Sequence, residues 1–112
     1  MVSIASFRKL ALSFPEAIEQ PHFDNPSFRV AKKIFVTLSE KNKRACVKLS
    51  EIDQSVFSNF DKTVVFPVPN KWGKQGWTFV MLSKVRKEML TDILTTSYCG
   101  VAPKRLSRVF KD

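Results

Sequence analysis

FRVAKKIFVTLSEKNKRACVKL, residues 28–49, decides the fold. Phe28 and Val30 flank Arg29. Ile34, Val36 and Leu38 alternate with Phe35, Thr37 and Ser39, and Ala45, Val47 and Leu49 alternate with Arg44, Cys46 and Lys48. Successive strand side chains point to opposite faces, so this period of two marks strands with one face buried. Glu40-Lys41-Asn42-Lys43 is a polar turn between two of them. The stretch reads as an antiparallel meander.

Working outward, the period changes. Ile4, Phe7, Leu10, Ala11 and Phe14 fall at helical spacing behind Ser3, a capping residue, and Pro15 stops the run; this predicts a helix over 4–14. Residues 15–27, with Pro15, Pro21 and Pro26, read as a loop in which Phe23 opens a short strand. Downstream, Ser50-Glu51-Ile52-Asp53 is a helix start with acids in its first turn. Ile52, Val56, Phe57 and Phe60 then offer an inward stripe to about residue 60.

Thr63 to Val68 reads as a strand, 69–76 as a loop and Trp77 to Leu82 as a second strand. Ser83 is positioned to cap a helix from Lys84 to about Tyr98, with Val85, Met89, Ile93 and Leu94 buried and Gly100 ending it. Pro103 suits the first turn of a last short helix, with Leu106, Val109 and Phe110 inward. The expected fold is a two-layer α+β domain: an antiparallel sheet of about five strands backed by helices on one face, formed by residues 1–112 as one unit.

Composition agrees with a folded domain. The chain has 112 residues, 44% hydrophobic and 26% charged. A chain this long buries roughly 65% of its unfolded surface, enough for a core without disulfides or metal. No run approaches the ~20 apolar residues that a membrane span needs. Cys46 and Cys99 are too few for a disulfide scaffold, and the first residues carry their charges after the apolar ones, the reverse of a secretory signal. The expectation is a reduced, cytoplasmic protein.

Catalytic and metal constellations are missing from the sequence. His22 is the one histidine, in a loop or at a strand edge, and reads as structural. Cys46 and Cys99 form no metal-ligand spacing. Gly73-x-x-Gly76 is too short for a phosphate loop. The expectation is a protein that is not an enzyme and carries no cofactor.

Charge gives the functional lead. Nineteen Lys and Arg against ten Asp and Glu give a net charge of +9. Residues 1–60 hold nine basic and six acidic residues, a net +3; residues 61–112 hold ten and four, a net +6. Such an excess is the footprint of a polyanion binder, or simply of a well-solvated surface.

Two places concentrate it. Lys71, Trp72 and Lys74 lie in a loop with two of the three glycines and both tryptophans. Lysines there supply phosphate contacts and an exposed indole a stacking face, whereas Trp77 is expected to start its strand and pack into the core. Lys84, Arg86 and Lys87 open the next helix, where cations oppose the helix dipole and attract an anion. Lys104, Arg105, Arg108 and Lys111 read as the solvated face of the last helix, and Lys32-Lys33 and Lys41 to Arg44 as basic hairpin tips.

ALSFPEAIEQPHFDNPSFRVAKKIFVTL (11–38), GWTFVML (76–82) and LTTSYCGV (94–101) together resemble the MmcQ/YjbR family of small proteins. The shared pattern is a helix ending in a Leu-x-x-Pro step before Glu16, a Phe-x-Val-x-x-Lys-x-Phe hairpin from Phe28 to Phe35, an aromatic-led strand at Trp77, and Ser97-Tyr98. The resemblance implies a frataxin-type α+β fold, also described as a double wing, and a DNA-binding role without catalytic residues. Frataxins use acidic ridges for iron, which this basic chain lacks. Ala31-Lys32 stands where the family pattern leads one to expect a glycine turn, so that hairpin is expected to be shaped differently. Lys84, Arg86 and Lys87 stand where relatives are often acidic.

Two function classes follow. The first is a non-enzymatic nucleic-acid-binding module, DNA before RNA, with Lys71, Lys74, Lys84, Arg86 and Lys87 on phosphates and Trp72 as a stacking or wedge contact. The second is a protein- or small-molecule-binding domain, which requires a concave apolar pocket between the sheet and the 69–76 loop.

Overall fold

The computed structural model describes residues 1–110. Helix α1 (Ile4–Leu12) starts as expected: the Ser3 hydroxyl accepts from the Ser6 N–H at 3.0 Å. Strands β1 (Ile18–His22), β2 (Asn25–Val30), β3 (Lys33–Ser39) and β4 (Arg44–Lys48) follow, then α2 (Glu51–Ser58), β5 (Val65–Pro67), α3 (Lys71–Lys74) and β6 (Trp77–Met81). Helix α4 (Lys87–Val101), α5 (Lys104–Ser107) and a 3-10 turn over Arg108–Phe110 complete the described chain. The sheet has six strands in the order β1-β2-β3-β4-β6-β5, every neighbouring pair antiparallel.

The α+β class and the meander hold, with one strand more than the five expected. The extra strand is β1. Its sequence, IEQPH, lacks the alternation that announces a strand and carries a proline. An edge strand tolerates both, because one side of its backbone needs no partner.

Helices α1, α4 and α5 lie on one face of the sheet. Phe7 meets Phe28 edge-on at 5.6 Å, and Tyr98 meets Phe35 edge-on at 5.6 Å and stacks on Phe14 at 4.9 Å. Burying each such aromatic contributes about 1.5–3 kcal/mol. Two polar groups inside this layer are satisfied: Ser97 Oγ donates to the Phe35 carbonyl and Tyr98 Oη to the Pro15 carbonyl, both at 2.7 Å.

Several sequence expectations are corrected. Phe35 faces the core together with Val36, and Ile34 faces the other way. A bulge shifts the β2–β3 register between Phe28 and Arg29, so two β3 residues oppose one. Ala31 and Lys32 form the β2–β3 turn with φ of 51° and 69°, the left-handed region that a glycine enters without steric cost. The 63–68 strand shrinks to Val65–Pro67, and the 69–76 loop contains α3.

The stripe expected on α2 is turned outward. Ile52 is 76% exposed and Phe60 69%, while Gln54 and Ser58 are buried. Helix α4 starts at Lys87, not Lys84, with Arg86 rather than Ser83 at its N-cap and no side-chain cap, and it runs through Gly100 to Val101. Val85 is buried all the same, and Leu90 with Ile93 and Leu94 forms the stripe. In the last segment Leu106 is inward but Val109 is exposed; Phe110 packs on Phe14 and Tyr98. Lys111 lies outside the described residues.

Candidate functional site

The alternation that buries Ala45, Val47 and Val80 beneath the helices sends their neighbours to the opposite face. Ile34 and Thr37 of β3, Cys46 of β4 and Trp77 and Phe79 of β6 form a floor there. Walls rise on two sides. On one, β2 stays paired with β3 only as far as Ser27, and the β1–β2 tip brings His22 and Phe23 to the groove. On the other stand Val68, after β5, and Trp72 of α3. The open groove between them is about 530 Å³, and no carboxylate lines it.

Close backbone approach fixes the α3 wall. A Cβ on Gly73 would overlap the Val68 carbonyl oxygen, and one on Gly76, at φ 104°, the Leu49 carbonyl oxygen. The Asn70 side chain accepts from the Trp72 N–H at 2.8 Å. Gln54, from α2, donates to the Gly73 carbonyl at 2.9 Å, to Thr78 Oγ1 at 3.0 Å and toward the Trp77 carbonyl at 3.3 Å. A buried amide with three acceptors ties α2, α3 and β6 together and so holds Trp72, half exposed, at the groove.

The opposite wall is built on strain. Phe23 occupies the first position of the two-residue turn between His22 and Asn25, with φ 56°. Its ring sits edge-on to His22 at 4.6 Å and is 92% exposed. A bulky aromatic in the left-handed region is an outlier of the kind that clusters at functional sites.

Cations flank the aromatic floor. Arg44 Cζ lies 3.9 Å from the centre of the Phe79 ring, Lys48 Nζ 6.0 Å from Trp77 and Lys71 Nζ 5.8 Å from Trp72. Lys48 Nζ also donates to the Gln75 carbonyl, beside α3. Arg29 Nε donates to Ser27 Oγ at 3.0 Å. Among the described residues Arg29, Arg44, Lys48, Lys71 and Lys74 make no ion pair. The ion pairs are made by α1 and α5: Arg8 with Glu19 and Glu40, and Arg105 with Glu16. Burial pushes the Cys46 thiol up to about 11, so it stays protonated near neutral pH.

The six sequence-predicted site residues fall into two groups. Lys71, Trp72 and Lys74 share α3, with Trp72 in the groove wall. Lys84, Arg86 and Lys87 follow the far end of β6, a strand of about 13 Å. Only Lys87 lies within the helix, and Glu88 shares its first turn. Lys84 sits near enough to Asp61 to help hold that carboxyl low, after the hydrogen bonds from Thr63. The second group therefore stands among carboxylates and apart from the groove.

Sequence reasoning missed Phe23, Arg44, Lys48, Phe79 and the position of Trp77. Trp77 starts its strand as expected but faces the groove instead of the core. The signal was present in the polar half of each alternation: Arg44, Cys46, Lys48 and Trp77, Phe79, Met81 all share the face opposite the core.

This architecture defines a small α+β domain with one helix-covered sheet face and one open, aromatic, cation-flanked face. The chain belongs to the YjbR family, whose model matches residues 12–99. It is similar in fold to the crystal structure of the Deinococcus radiodurans protein DR2400, assigned to the domain DUF419, with a TM-score of 0.78 at 19% identity, covering 97% of this chain and 85% of that one. No curated protein matches the chain. No helix of the described residues is long and apolar enough to cross a membrane. Among them no three His, Cys, Asp or Glu residues gather as metal ligands would.

Proposed function

We propose that the protein is a non-catalytic nucleic-acid-binding module whose contact surface is the open sheet face. One observation supports this above the others: the aromatic floor and walls carry Arg44, Lys48 and Lys71 beside them and no carboxylate within the groove. Aromatic faces take bases and the cations take the backbone, a combination suited to sequence-tolerant binding. Lys71, Lys74 and Lys48 are the phosphate contacts of this reading and Trp72 its stacking contact. Lys84, Arg86 and Lys87 become an outlying contact at most.

Tryptophan fluorescence tests it, because Trp72 and Trp77 are the chain's two tryptophans and both line the groove. Titration with oligonucleotides is expected to change the emission, with affinity falling as salt rises. Neutralising about four phosphates gives a log–log slope of about −2.8 on a single strand and about −3.6 on a duplex. Charge reversal at Lys71 and Lys74 is expected to weaken binding more than reversal at Lys84, Arg86 and Lys87. Absence of salt-dependent binding at low salt overturns the proposal.

The groove also favours a second reading. Its volume of about 530 Å³ and mostly apolar lining suit a planar small molecule, and it lies between the sheet and the 69–76 segment, where that alternative requires a pocket. Saturable, salt-insensitive quenching by an uncharged aromatic compound, with none by oligonucleotides, would support it.

A further inference from the structure

Phe23 is the least explained residue of the molecule. It is 92% exposed, buries almost nothing for the core, and holds a left-handed backbone that disfavours any bulky side chain. Stability alone gives no reason for it. Its position does: with His22 it forms one wall of the groove whose other wall is Trp72 and whose floor includes Trp77 and Phe79. Two exposed aromatics thus face one apolar space across a floor of three strands, about 10 Å from β3 to β6.

We infer that this groove takes unpaired bases of a single strand, with Phe23 and Trp72 as its two aromatic walls, so that the protein prefers single-stranded to double-stranded nucleic acid. The inference rests on the nucleic-acid reading of the open face and names its substrate class. Stacking on a side chain needs a free base face. In a duplex those faces are occupied by neighbouring pairs, and only edges and phosphates are offered. A groove walled and floored by aromatic rings gains little from a duplex and much from an unstacked base.

Charge fits the same occupant. Lys48 and Lys71, beside Trp77 and Trp72, lie where a strand's phosphates would pass once its bases enter. Phe23 also borders an adjoining depression lined by Glu19, Gln20 and Asp24, so these side chains lie on its far side while none of them lines the groove itself.

The test compares a labelled 12-nucleotide single strand, the blunt duplex of the same sequence and the free mononucleotide, by anisotropy or competition at one salt concentration. The wild type is expected to bind the single strand about ten-fold or more tighter than the duplex. Phe23→Ala is expected to lose about ten-fold on the single strand and little on the duplex, a loss within the range of one base–aromatic stack, while Phe23→Tyr keeps wild-type preference. Phe23→Gly relieves the backbone and is expected to melt no lower than wild type while losing the preference, which separates binding from folding.

Equal or tighter duplex binding, or an unchanged ratio in Phe23→Ala, overturns this inference and leaves the nucleic-acid reading standing. Failure to bind either oligonucleotide overturns the nucleic-acid reading itself. A mononucleotide that binds as tightly as the 12-mer overturns the strand as occupant and assigns the groove to a small molecule.

Discussion

Ala31 and Lys32 carry the β2–β3 turn in a conformation that costs an L-residue about 1–2 kcal/mol each. The paired strands outweigh that cost because the hairpin buries Phe28, Val30, Phe35 and Val36. Lys32→Gly is therefore expected to stabilise the protein by about 0.5–1 kcal/mol, relief at positive φ being partly offset by a freer unfolded chain. Chemical denaturation measures this, and a destabilisation would show that the turn is not strained. Phe23 shares the same backbone region but is held at a groove. The difference was not legible in the residues alone: a positive φ at a phenylalanine leaves no trace in composition or period.

Helix α2 is the element where hydrophobic periodicity misleads. Ile52, Val56 and Phe60 recur at a spacing of four and read as a core stripe, yet the helix is eight residues long and meets the rest of the molecule through Gln54, Ser58 and Phe57. A glutamine is buried there because three acceptors on α3 and β6 converge on its amide. Gln54→Ala is expected to cost about 1–3 kcal/mol, since it removes the buried hydrogen bonds that tie α2 to α3 and β6. Ile52→Lys with Val56→Lys is expected to move the melting temperature by no more than about 2 °C. Thermal melts of the two variants check this, and the reverse order would place the apolar stripe in the core after all. By contrast the Ser3 and Ser50 caps and the alternation along β4, with Ala45 and Val47 buried, stand where the sequence puts them, because each is decided within a few residues. Half of the candidate site was legible, the Lys71-Trp72-Lys74 cluster. The other half depends on which long-range strand pairs bring Phe79 beside Arg44 and the Phe23 tip over β3.

At the scale of the molecule, charge is divided by layer. Two helix-side arginines find carboxylates: Arg8 holds Glu19 and Glu40, and Arg105 holds Glu16 with bonds of 2.7 and 3.1 Å. Sheet-face cations find aromatic rings instead. The Arg105 hydrogen bonds hold the Glu16 carboxyl below its ordinary value of 4.5. A lowered folded-state value means the contribution is complete above pH 4.5 and is lost as the pH falls through the folded-state value. The melting temperature is expected to be flat from neutral pH to about pH 5 and to fall below it, less steeply in Glu16→Gln. An identical pH profile for that variant would remove the ion pair from the account. Both side chains are more than half exposed, so the effect is small and screened by salt.

The two layers make the central claim measurable in one experiment. Backbone amide shifts of the folded protein, followed by NMR as a single-stranded oligonucleotide is added, report which face is touched. The largest changes are expected at Phe23, Ile34, Thr37, Cys46, Trp72, Trp77 and Phe79, with α1 and the outer face of α4 unmoved. Changes confined to the helical layer, or to Lys84 through Lys87, would contradict it.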